Sequence, residues 1–118
     1  MKPPSKLLFD MNVLRYLDQL GILTQCISMI KNPYTLDLIK EKEMMNPSWE
    51  DVEKGGMKTL GLSGKQMLEA EELRGGHKKL SIYDAGIIIL AAKKNYPLFT
   101  EDRKMITEME RLGIRHIC

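Results

Sequence analysis

With 118 residues, 43% of them hydrophobic, the chain suits one domain spanning 1–118 with a modest core, and it is too short for a second. A formal net charge of +2 neither demands nor excludes a polyanionic partner, so any claim about nucleic acid must rest on a site. Cys26 and Cys118 lack a C-x-x-C spacing, which excludes a zinc signature and a disulfide framework and makes reduced thiols the expectation. The longest apolar run, Ala85 to Ala92, falls far short of the ~20 residues that span a bilayer. Met1-Lys2-Pro3-Pro4 leads into a strand, not a signal-peptide core. The expectation is a cytoplasmic protein with no membrane partner.

In chain order, Lys6 to Asp10 is a short apolar run closed by an acid and predicts a buried strand. Leu14, Leu17 and Leu20 then recur at helical spacing until Gly21. A second helical stretch, Ile22 to Ile30, ends at Asn32-Pro33. Tyr34 to Leu36 predicts a brief strand, and Asp37 to Met44 another helix. Asn46-Pro47 and Gly55-Gly56 interrupt the chain. Met57 to Leu62 predicts a third strand, and Ser63 caps a helix running to Leu73. Arg74 to His77 reads as a loop. Leu80-Ser81 opens an apolar helix from Ile82 to Lys94, hydrophobic nearly all round and so expected to be the buried central helix. Pro97 to Thr100 predicts a strand, Glu101 to Leu112 a helix stopped by Gly113, and Ile114 to Cys118 a last strand. This alternation predicts an α/β fold: a central, mainly parallel sheet covered by helices, with ligands bound beyond the carboxyl ends of the strands.

Four acids stand at or just past those ends. Asp10 closes the first strand, Glu41 lies one turn into the helix after the second, Asp84 begins the central helix, and Asp102 follows the Pro97 strand. Two carboxylates about 4 Å apart repel by roughly 4 kcal/mol at an effective dielectric of ~20, so a cluster of them calls for a cation. All-oxygen donors favour Mg²⁺ or Mn²⁺ over zinc, and neither His77 nor His116 has the spacing of a softer site. Such ions serve phosphoryl-transfer chemistry, which makes phosphodiester hydrolysis the expected reaction.

Each acid also has a structural reading. Ser81 to Asp84 is an S-x-x-D capping box. Asp102 complements the dipole of the helix it opens, where Thr100 would be the N-cap. Glu41 sits among Asp37, Lys40, Lys42 and Glu43 on a charged stretch that reads as solvated surface. Asp10 resists such a reading, because an acid ending an apolar strand needs a partner and nearby Asn12 offers no charge. Gly61 to Gln66 resembles a phosphate loop but lacks its first glycine and the Ser/Thr after lysine, so a turn and helix start is expected.

Three stretches carry a family resemblance. Leu7 to Leu14 reads L-L-F-D-M-N-V-L, Leu80 to Ala92 reads L-S-I-Y-D-A-G-I-I-I-L-A-A, and Pro97 to Lys104 reads P-L-F-T-E-D-R-K. In order and spacing these resemble the D-x-N-V-L opening, the L-S-x-x-D-A helix and the L-x-T-x-D-R strand end of PIN-domain proteins. Tyr34 to Glu41 is similar to the stretch where that family places a glutamate, although Thr35 stands where a proline is common and a register shift would move the acid to Asp37. The resemblance implies a three-layer α/β/α sandwich and a Mg²⁺- or Mn²⁺-dependent endoribonuclease. It implies metal ligation by Asp10, Asp84 and Asp102, with Glu41 completing the acid set and Thr100 orienting a carboxylate or a water. Compact members of the family are commonly VapC-type toxins, homodimers held inactive by a small antitoxin, so RNA, a cognate antitoxin and a second copy become the expected partners. The rivals are a catalytically silent PIN-like module that binds RNA or protein, a DNA nuclease using the same acids, and a receiver-like domain. The last would need a lysine at the end of the final strand, and Ile114 to Cys118 has none.

Overall fold

A computed structural model describes residues 3–76 and 79–117. Along the chain, β1 (Lys6–Phe9) leads to α1 (Met11–Gln19), α2 (Leu23–Ser28) and β2 (Asn32–Leu36). A π-helical turn (Ile39–Glu43), α3 (Trp49–Glu53) and β3 (Lys58–Leu60) follow. The second half comprises α4 (Gly64–Gly76), α5 (Ile82–Lys94), β4 (Leu98–Phe99), α6 (Arg103–Leu112) and β5 (His116–Ile117). The five strands form one all-parallel sheet in the order β3-β2-β1-β4-β5. Parallel neighbours cannot be joined by a hairpin, so every connection carries helix. The chain starts at the centre, walks out to β3, and returns to lay β4 against the other side of β1. That reversal makes the carboxyl ends of β1 and β4 the sheet's topological switch point, the place where such sheets bind ligands.

Local chemistry explains most boundaries. Asp10 caps α1, whose buried Met11, Val13, Leu14 and Leu17 face the core, and Gly21 takes the positive φ of 75° that lets the chain leave. In α5 every residue from Ala85 to Ala91 is buried, as its all-round apolar sequence predicts. It packs on β2, α4 and α6. Ser63 and Gln66 cap α4 reciprocally, with Ser63 N–H donating to Gln66 Oε1 (2.9 Å) and Gln66 N–H to Ser63 Oγ (3.2 Å), so the loop-like Gly61 to Gln66 is indeed a helix start.

Three elements depart from the sequence reading. The expected loop at Arg74 to Gly76 is the last turn of α4, because packing of Ala70 and Leu73 near Ala85 and Ile89 of α5 outweighs the low helix propensity of two glycines; His77 lies outside the described residues. The helix expected over Asp37 to Met44 is a π turn, closed by Met44 N–H donating to Ile39 O at 2.9 Å. Helix α3 lies in the stretch between Asn46-Pro47 and Gly55-Gly56 for which the sequence reading has no element, and Ser48 and Asp51 start it with a capping box of the same S-x-x-D kind that marks α5. Among the described residues no helix is long and apolar enough to cross a membrane.

One close approach in this scaffold is rigid. An added Cβ on Gly55 would lie 2.7 Å from Ile27 Cβ and 2.8 Å from Ile27 Cγ2, on a residue that is fully buried. Gly55→Ala is therefore expected to lower unfolding free energy by about 1–3 kcal/mol in urea titration. Gly64→Ala, with nothing within 4 Å of the new methyl group, should be neutral or slightly stabilising.

Candidate active site

The site is built outward from the central strand. Asp10 follows Phe9 at the carboxyl end of β1, and Thr100 follows Phe99 at the end of β4, so the parallel register Phe9 to Phe99 brings the two side by side. Asp10 N–H donates to Phe99 O (3.2 Å) and Thr100 N–H to Ile117 O (3.0 Å), extending the ladder one residue past each strand. Both residues are buried, Asp10 at 2% exposure and Thr100 at 0%. The Thr100 hydroxyl donates to Asp10 Oδ2 at 3.2 Å, and Met11 N–H donates to Asp10 Oδ1 at 2.9 Å. On the other side of β1, the buried Thr35 hydroxyl donates to Phe9 O at 2.9 Å, fixing the backbone immediately before the acid.

Among the described residues no cationic side chain pulls the Asp10 carboxyl back down. Burial pushes its carboxyl from 3.8 up to about 7, the negative charges of Asp84 and Glu43 push the same way, and the hydrogen bonds from Thr100 and Met11 only partly oppose this. Glu43 is likewise raised, first by burial and then by Asp84, with Arg15 pulling it back. Asp10, Asp84 and Glu43 thus share one electrostatic field, although they come from the end of β1, the start of α5 and the end of the π turn. Asp84 is held there by its capping box: Ser81 N–H donates to Asp84 Oδ2 (3.1 Å) while Asp84 N–H donates to Ser81 Oγ (3.0 Å). The capping and site readings of Asp84 are therefore compatible, since the capped carboxylate still lies near enough to raise the Asp10 carboxyl.

Glu41 stands apart from this field. It is exposed, and the acid that couples to Asp10 and Asp84 is Glu43, two residues on. Ile39, fully buried, precedes Glu43 by four residues, so the two fall on the inward side of the turn while Glu41 faces out. That spacing was the signal available in the sequence. Asp37, the other register considered, presses its carboxylate against Gly61, where an added Cβ would come within 2.6 Å of Asp37 Oδ2.

Asp102 sits beside the switch point, tied to it through Thr100. Its N–H donates to Thr100 Oγ1 at 3.1 Å, but its side chain caps α6, accepting from Lys104 N–H at 2.9 Å. Asp102, not Thr100, is the N-cap of α6. Lys104 Nζ lies 3.9 Å from Asp102 Oδ2 and donates to Lys79 O at 3.1 Å, linking the starts of α6 and α5.

Whether these residues suit a divalent cation turns on donor chemistry. The donors are hard carboxylate oxygens, and the Asp10 carboxyl is held up first by burial and then by the negative charge of Asp84. Among the described residues no three His, Cys, Asp or Glu side chains stand close enough to hold an ion together. Mg²⁺ does not require that, since it commonly binds through one or two carboxylates and completes its shell with water and substrate. By donor chemistry, Asp10 and Asp84 are the two carboxylates that would hold such an ion. An apolar hollow of about 370 Å³, lined by Leu7, Phe9, Cys26, Met29 and Phe99 among others, offers no comparable chemistry. In comparisons with known proteins, neither a family model nor a curated sequence matches the chain.

Proposed function

We propose that the chain is a PIN-like endoribonuclease on a three-layer α/β/α fold, hydrolysing RNA phosphodiester bonds with Mg²⁺ or Mn²⁺. The observation that carries this reading is Asp10: a buried acid at the sheet's reversal point, facing two more acids, with its carboxyl raised to about 7. An uncompensated buried charge is destabilising, and placement where ligands bind gives it a use. Asp10 and Asp84 would hold the ion, with Glu43 beside them and Asp102 reaching the site if it leaves its cap. The ion, when bound, supplies positive charge that polarises the phosphodiester. Thr100 orients Asp10 through its hydroxyl. Because Asp10 is about half protonated near pH 7, taking up a cation there displaces a proton. Within the same proposal, a second copy of the chain and a small inhibitory antitoxin are its protein partners, and the cytoplasm its location.

The test is cleavage of a labelled single-stranded RNA in chelator, Mg²⁺ and Mn²⁺. Metal-stimulated cleavage is expected, and Asp10→Asn or Asp84→Asn should each lower it by about 100-fold or more. Glu43→Gln should reduce it and Glu41→Gln leave it unchanged. Full activity in both aspartate variants would overturn the site. A second reading, a PIN-like module that binds RNA or protein without cleaving it, draws on the capping contacts that occupy Asp84 and Asp102. RNA binding with no metal-stimulated cleavage would favour it.

A further inference from the structure

Beside the acids, α1 and the end of the π turn enclose a polar hollow of about 370 Å³ lined by Arg15, Asp18, Gln19, Glu43, Met45 and Asn46. It adjoins the candidate site through Glu43, which belongs to both. Asn12, Arg15 and Gln19 follow one another at three- and four-residue spacing on α1, so they lie along one face of the helix, immediately after Asp10 in the chain. Asn12 Oδ1 accepts from Arg15 Nη1 at 3.1 Å, which steadies the guanidinium. Among the described residues Arg15 is in no salt-bridge contact; its charge acts on Glu43 across the hollow, so a bound phosphate would compete with that attraction for the guanidinium.

We propose that this hollow is a nucleotide subsite in which Arg15 receives a phosphate of single-stranded RNA next to the bond placed at Asp10. The inference rests on the ribonuclease reading and adds the residue that registers the strand. A guanidinium fork matches two phosphate oxygens, a geometry that a lysine at this position would not reproduce. The rest of the lining suits a nucleoside. Met45, 81% exposed, offers a polarisable apolar surface for a base, and the amides of Gln19 and Asn46 offer both donors and acceptors to a base edge. Asp18 and Glu43 accept hydroxyl hydrogen bonds while repelling phosphate, which directs the phosphate toward Arg15. The volume falls within the ~300–1,000 Å³ range of small-ligand pockets.

The experiment uses the full chain carrying Asp10→Asn, so that RNA is bound without being cut, and reads fluorescence anisotropy of a fluorescein-labelled single-stranded RNA. Adding Arg15→Gln should weaken binding by about tenfold and flatten the slope of log affinity against log salt by about one. Arg15→Lys should recover part of the affinity. Lys94→Gln, which removes an exposed charge at the far end of α5, serves as the control and should change little. In the protein with Asp10 intact, Arg15→Gln should raise KM with kcat nearly unchanged. An Arg15→Gln variant that melts like its parent and binds like Lys94→Gln overturns the subsite. The failures are separable: Arg15-dependent binding without metal-stimulated cleavage sinks the nuclease reading alone, whereas cleavage with an unchanged KM in Arg15→Gln sinks the subsite alone.

Discussion

Asp10→Asn is expected to make the metal-free protein more stable at pH 8. In the unfolded chain Asp10 ionises near its ordinary value of 3.8, whereas in the folded chain it does so near 7. Below about pH 4 both states hold the proton and the acid is harmless. As pH rises, the unfolded chain releases its proton while the folded chain retains it, so stability falls between about pH 4 and 7 and levels off above that. The ionised acid costs the fold on the order of 4 kcal/mol at high pH. Asparagine has the same shape and never ionises. The stability difference between Asp10→Asn and the parent should therefore be near zero at pH 4, open through neutral pH and saturate by pH 8. Urea titrations at these values in a chelating buffer would measure it. A difference that stays flat with pH would contradict the electrostatic origin assigned to Asp10. Adding Mg²⁺ at pH 8 should raise the melting temperature of the parent and leave Asp10→Asn unmoved. On the proposed reading, an acid that weakens the metal-free protein and binds the ion is the expected trade between stability and activity.

Leu8→Ala should produce a large loss of stability. Leu8 is fully buried on the central strand, where it registers with Tyr34 of β2 on one side and Leu98 of β4 on the other. Removing its isobutyl group leaves a cavity between layers that cannot collapse without breaking the ladders on both sides. Such truncations cost about 2–5 kcal/mol, a large share of the roughly 5–15 kcal/mol that holds a small domain together. The melting temperature should fall by roughly 10–20 °C. The urea midpoint should fall with its slope unchanged. A loss below about 1 kcal/mol would show that the strand is less tightly enclosed than its burial implies. Because β1 delivers Asp10 to the switch point, cleavage should be lost only as the variant unfolds, which distinguishes this substitution from changes to the acids.

Much of the scaffold is legible because its signals are local. The apolar run ending in Asp10, the S-x-x-D box at Ser81 and the unbroken apolar stretch of α5 each state an element within a few residues, and the structure has all three. The misreadings occur where local preference is overruled. Gly75 and Gly76 continue α4 because neighbouring residues dock on α5, and the acidic-basic stretch after β2 closes as a π turn instead of an α-helix. That change of winding matters for the site, since it goes with Glu43, not Glu41, sharing the field of Asp10 and Asp84.

The sequence by itself determined the order of the five strands, most of the helices between them, the capping box at Ser81, and the placing of acids at strand ends, because hydrogen-bonded capping and hydrophobic periodicity act between residues a few positions apart. Tertiary structure alone decided which of those acids meet. The Thr100 hydroxyl reaches Asp10 across 90 residues of chain, and it does so only because β4 returns to the free side of β1. Burial then converts that meeting into chemistry. An aspartate in water is an ordinary acid, and the same aspartate buried near the negative charges of Asp84 and Glu43 has its carboxyl pushed up to about 7, a property of its surroundings that no local pattern encodes.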